Sequence, residues 1–199
     1  MLYYNETVNK NGVIYTMIDF IISMDVIIHH FIQNHFRSVL VDQLMTLFTR
    51  LGDYGALWIL LAVGLLIFPK TRTLGLLTVI TLMVTAVLGE GVVKHLVQRP
   101  RPPLPASTSL LLQQVPSTFS FPSGHTASSF GVATTLLHWK APHGKRVIFL
   151  ALIYLIAGAI AFSRLYLGLH YFTDIVAGVA LGVLCSLWVT QKIKPALEK

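Results

Sequence analysis

Long apolar runs dominate this chain and leave little choice of fold. Five of them, at about 54–69, 71–93, 125–139, 146–163 and 173–190, carry almost no charge. Crossing the hydrocarbon of a bilayer takes about 20 helical residues. The run at 71–93 is long enough outright. The run at 125–139 is short, and fits if its first turn starts inside protein, below the membrane surface. A soluble domain carries roughly a quarter charged residues. Here 12% of 199 residues are charged and 54% are hydrophobic. No run alternates with period two and no Gly-rich hairpin separates them, which argues against a transmembrane barrel. The expected fold is all-α: one domain over 1–199, a polytopic transmembrane helical bundle with five firm spans and its core at 54–190.

Basic residues orient the runs. Lys70 and Arg72 fall in one connection, Lys140, Lys145 and Arg146 in another, and Lys192, Lys194 and Lys199 follow the last run. If the runs alternate, these eight cations share one side, which should be cytoplasmic. Trp58, Trp139 and Trp188 near run ends suit an interfacial aromatic belt. The formal net charge of +7 forms no contiguous stripe, so nucleic acid is not an expected partner. Cys185 is the single cysteine; it excludes an internal disulfide and suits a small packing residue.

Residues 13–36 admit two readings. Asp19, Asp25, His29 and His30 interrupt an otherwise apolar stretch. Each aspartate costs roughly 2.5–3.5 kcal/mol at the centre of an inserted helix. At about 100° per residue, Thr16, Asp19, Ser23, His30, Gln33 and Asn34 share one face, opposite Met17, Phe20, Met24, Ile28 and Phe31. That pattern describes an amphipathic helix in the interface, or a sixth span whose polar face packs inside the bundle. No basic segment or small-residue cleavage site precedes it, so a cleaved signal peptide is not expected.

Three polar clusters fall on the side opposite the eight cations. They are Lys94-x6-Arg101-Pro102, Pro122-Ser123-Gly124-His125 and Ser163-Arg164-x5-His170-x3-Asp174. Uncompensated charge beside a span is expensive, so Lys94, Arg101 and Arg164 should meet an anion. Arginine grips two oxygens of a tetrahedral phosphate, and lysine adds a point charge. Ser123 and Gly124 stand where the proline-rich stretch 94–124 turns into a helix whose free N–H groups form an anion site. His170 and Asp174, four apart, share a helix face. There the carboxylate can hold one imidazole nitrogen protonated and leave the other nucleophilic. His125 is free to protonate a leaving oxygen. A cationic cradle, an oriented nucleophile and an acid together describe phosphoryl transfer.

In this order, the three clusters resemble the signature motifs of the type-2 phosphatidic acid phosphatase (PAP2) superfamily. The resemblance covers about 54–190, and all three motifs are complete. It implies a helical bundle, hydrolysis without metal or other cofactor, and a phosphohistidine intermediate. By motif position, His170 is the implied nucleophile, Asp174 its orienting partner and His125 the general acid. Lys94, Arg101, Ser123, Gly124 and Arg164 are the implied phosphate ligands. Ser163 is expected to support its helix end. The short chain is similar to bacterial members acting on phosphatidylglycerophosphate or undecaprenyl pyrophosphate. That implies a multi-pass enzyme of the inner (cytoplasmic) membrane whose substrate is a lipid phosphate or pyrophosphate, with its site on the extracytoplasmic side. Members of this family usually have six spans.

Rival readings remain beside this one. A phosphotransferase would pass the phosphoryl group to another acceptor, and a flippase or transporter would use the same cations without the histidine nucleophile. A zinc site built from His125, His170, Asp174 and His95 is disfavoured, because the surrounding cations would repel a divalent metal. Glu90, one turn before Lys94, is expected to pair with it. Gly178-x3-Gly182 should permit close helix contact inside the bundle. His29, His30, His35, His138 and His143 are expected at surfaces or interfaces.

Overall fold

The computed structural model describes residues 12–104, 108, 117–140 and 142–197. In chain order the helices are α1 (Gly12–His35), α2 (Val39–Gly52), α3 (Ala56–Ile67), α4 (Arg72–Ala86), α5 (Lys94–Val97), α6 (Gly124–Thr135), α7 (His143–Tyr166), α8 (Phe172–Lys192) and α9 (Lys194–Leu197). Among the described residues there is no strand. A 3-10 turn at Asp53–Gly55 joins α2 to α3, and a π turn at Val87–Val93 joins α4 to α5.

Among the described residues, four helical segments are long and apolar enough to cross a membrane: Val39–Ile67, Arg72–Val97, His143–Tyr166 and Phe172–Lys192. The expected runs at 71–93, 146–163 and 173–190 fall on the last three, the first of them apart from its cap residue Thr71. The run at 54–69 forms the second half of the first segment, which bends where Tyr54 and Gly55 adopt left-handed backbone, φ 54° and 69°.

The run at 125–139 behaves differently. Its helix α6 has 12 residues, about 18 Å at 1.5 Å per residue, and a 3-10 turn at Leu136–His138 extends it. It sits at the centre of the bundle, packed by α3, α4, α7 and α8. That position explains its many hydroxyls, each of which needs a partner away from water. Trp58 Nε1 donates to Ser129 at 2.9 Å, and the Thr81, Thr135 and Ser186 hydroxyls form a chain at 3.0 and 2.9 Å. The spacing of Gly178 and Gly182 acts here. A Cβ on Gly182 would lie 2.2 Å from the Ala127 carbonyl oxygen, and one on Gly178 2.7 Å from that of Ser123. Helix α8 therefore meets α6 backbone to backbone, inside the bundle.

Helix α1 turns an unexpected stripe inward. Asp25, His29 and Ile32 are buried, while Met17, Phe20, Ile27 and Phe31 point outward. His29 is thus a packed residue and not a surface histidine. Two backbone features shape the end of the bundle where the motifs meet. Gln98, at φ 49°, closes α5 and turns the chain toward Arg99 and Arg101. Gly168, at φ 70°, ends α7 two residues before His170, in the left-handed conformation that favours glycine. Within the stretch 94–124, residues 105–107 and 109–116, with Pro105 and Pro116, lie outside the described residues, as does Lys199.

Candidate active site

A cavity of about 1260 Å³ opens at the end of the bundle where the three clusters converge. Lys94, Arg101, Gly124, His125, Arg164 and His170 all line it. They arrive from α5, the loop after it, the start of α6, the end of α7 and the turn before α8. Ser123 and Asp174 stand behind this wall, fully buried.

His170 is held from both sides. Its Nε2 lies 3.2 Å from Arg101 Nη1, and its Nδ1 lies 3.5 Å from Asp174 Oδ2, at the outer limit of hydrogen bonding. Arginine can only donate, so this contact requires an unprotonated Nε2 and places the ring proton on Nδ1, toward Asp174. Burial, with Arg164 and Arg101 adding to it and Asp174 opposing, pushes the imidazolium pKa down to about 3. The ring is therefore neutral at physiological pH, with its Nε2 lone pair directed at the Arg101 guanidinium.

Asp174 is oriented by more than the histidine. Its Oδ2 accepts the Tyr171 N–H at 2.9 Å, closing the first turn of α8, and its Oδ1 accepts from Arg99 at 2.6 Å. Arg99 was not singled out from sequence. It hides among the spacer positions between Lys94 and Arg101, where motif reading passes over it.

The second histidine also has a carboxylate. His125 Nε2 lies 2.9 Å from Asp53 Oδ1, in the bend between α2 and α3. Asp53 was missed as well, although an aspartate between two glycines at the head of an apolar run is itself a signal. Ser123 caps α6: its hydroxyl accepts from the Thr126 N–H and hydroxyl, and its own N–H donates to the Asp174 carbonyl. Gly124 and His125 line the cavity, whereas Ser123 stands behind them.

The cations are anchored unequally. Arg101 donates to the carbonyls of Leu169, Thr118 and Phe119. Arg164 reaches Thr49 at 2.5 Å while its Nε has no hydrogen-bond partner among the described residues. Lys94 pairs with Glu90 at 2.7 Å, as the spacing suggested. The Glu90 carboxylate also rests against the start of α6, where a Cβ on Gly124 would come within 2.2 Å of Oε1. Among the described residues no three of His, Cys, Asp or Glu are grouped to hold a metal ion.

The far wall of the cavity is apolar. Ile59 and Val63 from α3 face Val79, Leu82, Met83 and Ala86 from α4. Val79 lies eleven residues before Glu90, about 16 Å along a helix axis.

Known proteins resemble this chain in sequence and fold. A PAP2 superfamily profile matches residues 75–197. The chain is 35% identical over 153 residues to the undecaprenyl-diphosphatase of Sulfolobus acidocaldarius, covering 74% of this chain and 71% of that one. It is 31% identical over 177 residues to phosphatidylglycerophosphatase B of Bacillus subtilis, covering 82% of each. Its fold is similar to the crystal structure of Aquifex aeolicus LpxE, with TM-score 0.64 and 29% identity over 83% of this chain and 94% of that one. It is also similar to the PAP2-type phosphatidylglycerolphosphate phosphatase of Bacillus subtilis, with TM-score 0.69 and 26% identity over 92% and 86%. The profile covers more than half of the chain and the relatives span most of its length, so this multi-pass membrane protein belongs to the PAP2 superfamily and is a phosphatase.

Proposed function

We propose that the protein removes phosphate from a membrane lipid phosphate or pyrophosphate, with His170 as a transient phosphoryl carrier. The neutral His170 ring, its lone pair on Nε2 beside Arg101, is the observation that carries this reading. In the first step Nε2 attacks phosphorus in line. The bond from phosphorus to the lipid oxygen breaks, and His125 gives that oxygen a proton. In the second step water attacks phosphorus, the P–N bond breaks, and the water proton returns to His125. Lys94, Arg101, Arg164 and the first N–H groups of α6 face the equatorial oxygens. Asp174 stabilises the His170 ring while it is cationic.

The apolar wall between α3 and α4 suits a lipid tail that stays in the bilayer while its headgroup reaches the histidines. Its depth of about 16 Å is close to half of a bilayer's hydrocarbon thickness. The candidate substrates are undecaprenyl pyrophosphate, phosphatidylglycerophosphate and phosphatidic acid. We further infer a single domain with six crossings, formed by α1, α3, α4 with α5, α6 with its 3-10 turn, α7 and α8. The inward stripe of Asp25 and His29 supports reading α1 as a span whose polar face packs inside the bundle. With this count the eight basic residues fall on the cytoplasmic side, and the cavity opens extracytoplasmically in the inner membrane.

The test is phosphate release by purified protein from those three lipids in excess chelator with no added metal. Turnover of at least one, abolished by His170→Ala, is the expected result. Phosphate release that persists in His170→Ala would remove the histidine carrier. A need for added Mg²⁺ or Zn²⁺ would replace it with a metal mechanism.

A further inference from the structure

Asp25 lies in α1, far from the three motifs in sequence, yet its carboxylate is only 1% exposed and both oxygens are engaged. Oδ1 accepts the Thr173 N–H at 2.9 Å. Oδ2 accepts from Arg99 Nη2 at 2.6 Å and from the Thr173 hydroxyl. The Thr173 N–H is one of the donors that the first turn of α8 leaves without an intrahelical partner. Asp25 thus caps, from another helix, the turn that carries Asp174.

Arg99 is the bridge. Its Nη2 holds Asp25 while its Nη1 holds Asp174 Oδ1 at 2.6 Å and the Thr173 hydroxyl at 2.7 Å. Its plane lies over the Tyr171 ring, 4.2 Å from the centroid. By taking Oδ1, Arg99 leaves Asp174 Oδ2 to face His170. Arg99 alone would cancel the Asp174 charge. With Asp25 on its other side, the trio keeps one net negative charge beside a ring that becomes cationic when Nε2 bonds to phosphorus.

We propose that Asp25 is a positioning residue for the His170–Asp174 pair, acting through Arg99, and this rests on the phosphohistidine reading above. Asp25 touches neither substrate nor reacting atoms. It fixes the guanidinium that orients Asp174, and its charge keeps Asp174 effective against the developing imidazolium.

The experiment uses full-length Asp25→Asn, which keeps the shape of the side chain and removes its charge. With enzyme in excess over p-nitrophenyl phosphate, the single-turnover rate of p-nitrophenolate release reports attack by His170. Titration of acid-labile phosphoenzyme counts competent sites. The expected result is a rate constant lowered on the order of tenfold, as when the outer partner of a functional imidazole is removed, with KM and the competent fraction near wild type. In an Asp174→Asn background the same substitution should add nothing, because the path runs through Asp174. A purely structural role would reduce the competent fraction and leave its rate constant unchanged. That result, or additive losses in the double variant, overturns the proposal. If Asp25→Asn is not monodisperse, Arg99→Lys carries the same test, since lysine keeps the charge but cannot fork between two carboxylates. A wild-type rate constant there also overturns it. Wild-type protein that forms no phosphoenzyme would instead refute the underlying mechanism, whereas wild-type phosphoenzyme with an unaltered Asp25→Asn rate refutes the role of Asp25 alone.

Discussion

Asp53 approaches His125 from the bend between α2 and α3, with Oδ1 2.9 Å from Nε2, and the bend is packed directly on the imidazole. A Cβ on Gly52 would come within 2.7 Å of the His125 ring. In the proposed mechanism Asp53 would orient the second histidine as Asp174 orients the first, with Nε2 taken by the carboxylate. Asp53→Ala should slow lipid turnover by about tenfold or more, part of the roughly 100- to 10,000-fold that general acid–base catalysis contributes. Hydrolysis of p-nitrophenyl phosphate, whose leaving group needs no proton, should fall far less. Equal losses on both substrates would assign Asp53 to substrate binding or folding.

The depressed pKa of His170 makes a prediction about pH. A folded-state value of about 3 means that the neutral, nucleophilic ring persists as pH falls from 7 to 4. An unperturbed histidine would lose half of its neutral form near pH 6.5. Any acid limb of kcat/KM above pH 4 should therefore follow the second ionisation of the substrate phosphate, near pH 6 for a phosphomonoester. The measurement is the pH profile for two aryl phosphates whose second ionisations differ. A limb that moves with the substrate is expected. One fixed near pH 6.5 for both would mean that the nucleophile titrates as an ordinary histidine.

Much of this was legible in the sequence because the motif residues are the costly ones. Lys94, Arg101, Arg164, His125 and His170 are polar groups at the mouths of apolar runs, and all five line one cavity. Glu90 with Lys94, and the two glycines on α8, also follow from helical spacing. The supporting carboxylates were harder. Asp25 was visible as an expensive charge in an apolar stretch. Its partner Arg99 is 74 residues away, a distance that periodicity cannot bridge. On α1 the buried stripe of Asp25, His29 and Ile32 differs from the polar face that periodicity drew through Asp19, Ser23 and His30, because burial follows the neighbouring helices and not polarity alone. The run of α6 was legible as too short for an ordinary span, but its burial on all sides appears only when the neighbouring helices are in place.

Orientation can be read by labelling. Thr108 is in the expected loop but is buried and bonded to Arg37, so it is a poor probe site. Ser117 is exposed and lines the cavity, and His143 is exposed at the start of α7. Cysteine at Ser117 should react with a membrane-impermeant thiol reagent in intact cells, and cysteine at His143 should not. The native Cys185 is buried and should give little background. The reverse pattern would place the cavity in the cytoplasm and change the pool of lipids that it meets.

The two histidines can be separated by the leaving group. If His170 carries the phosphoryl group, His170→Ala removes the covalent route for every substrate. If His125 supplies a proton, its importance scales with how strongly the departing oxygen needs one. A lipid alkoxide needs it most, a lipid monophosphate leaving from a pyrophosphate less, and p-nitrophenolate least. His125→Ala should therefore lose lipid monophosphatase activity by about 100-fold or more, the lower range of general acid catalysis, yet still form phosphoenzyme from p-nitrophenyl phosphate. Its second step should slow as well, because the same residue takes the proton from water, so the trapped species should accumulate above wild-type levels. His170→Ala should trap nothing from any donor. Rapid quenching with labelled substrate, followed by detection of acid-labile protein-bound phosphate, reads out all three outcomes. Phosphoenzyme in His170→Ala, or losses in His125→Ala that ignore the leaving group, would reverse the roles assigned to the pair.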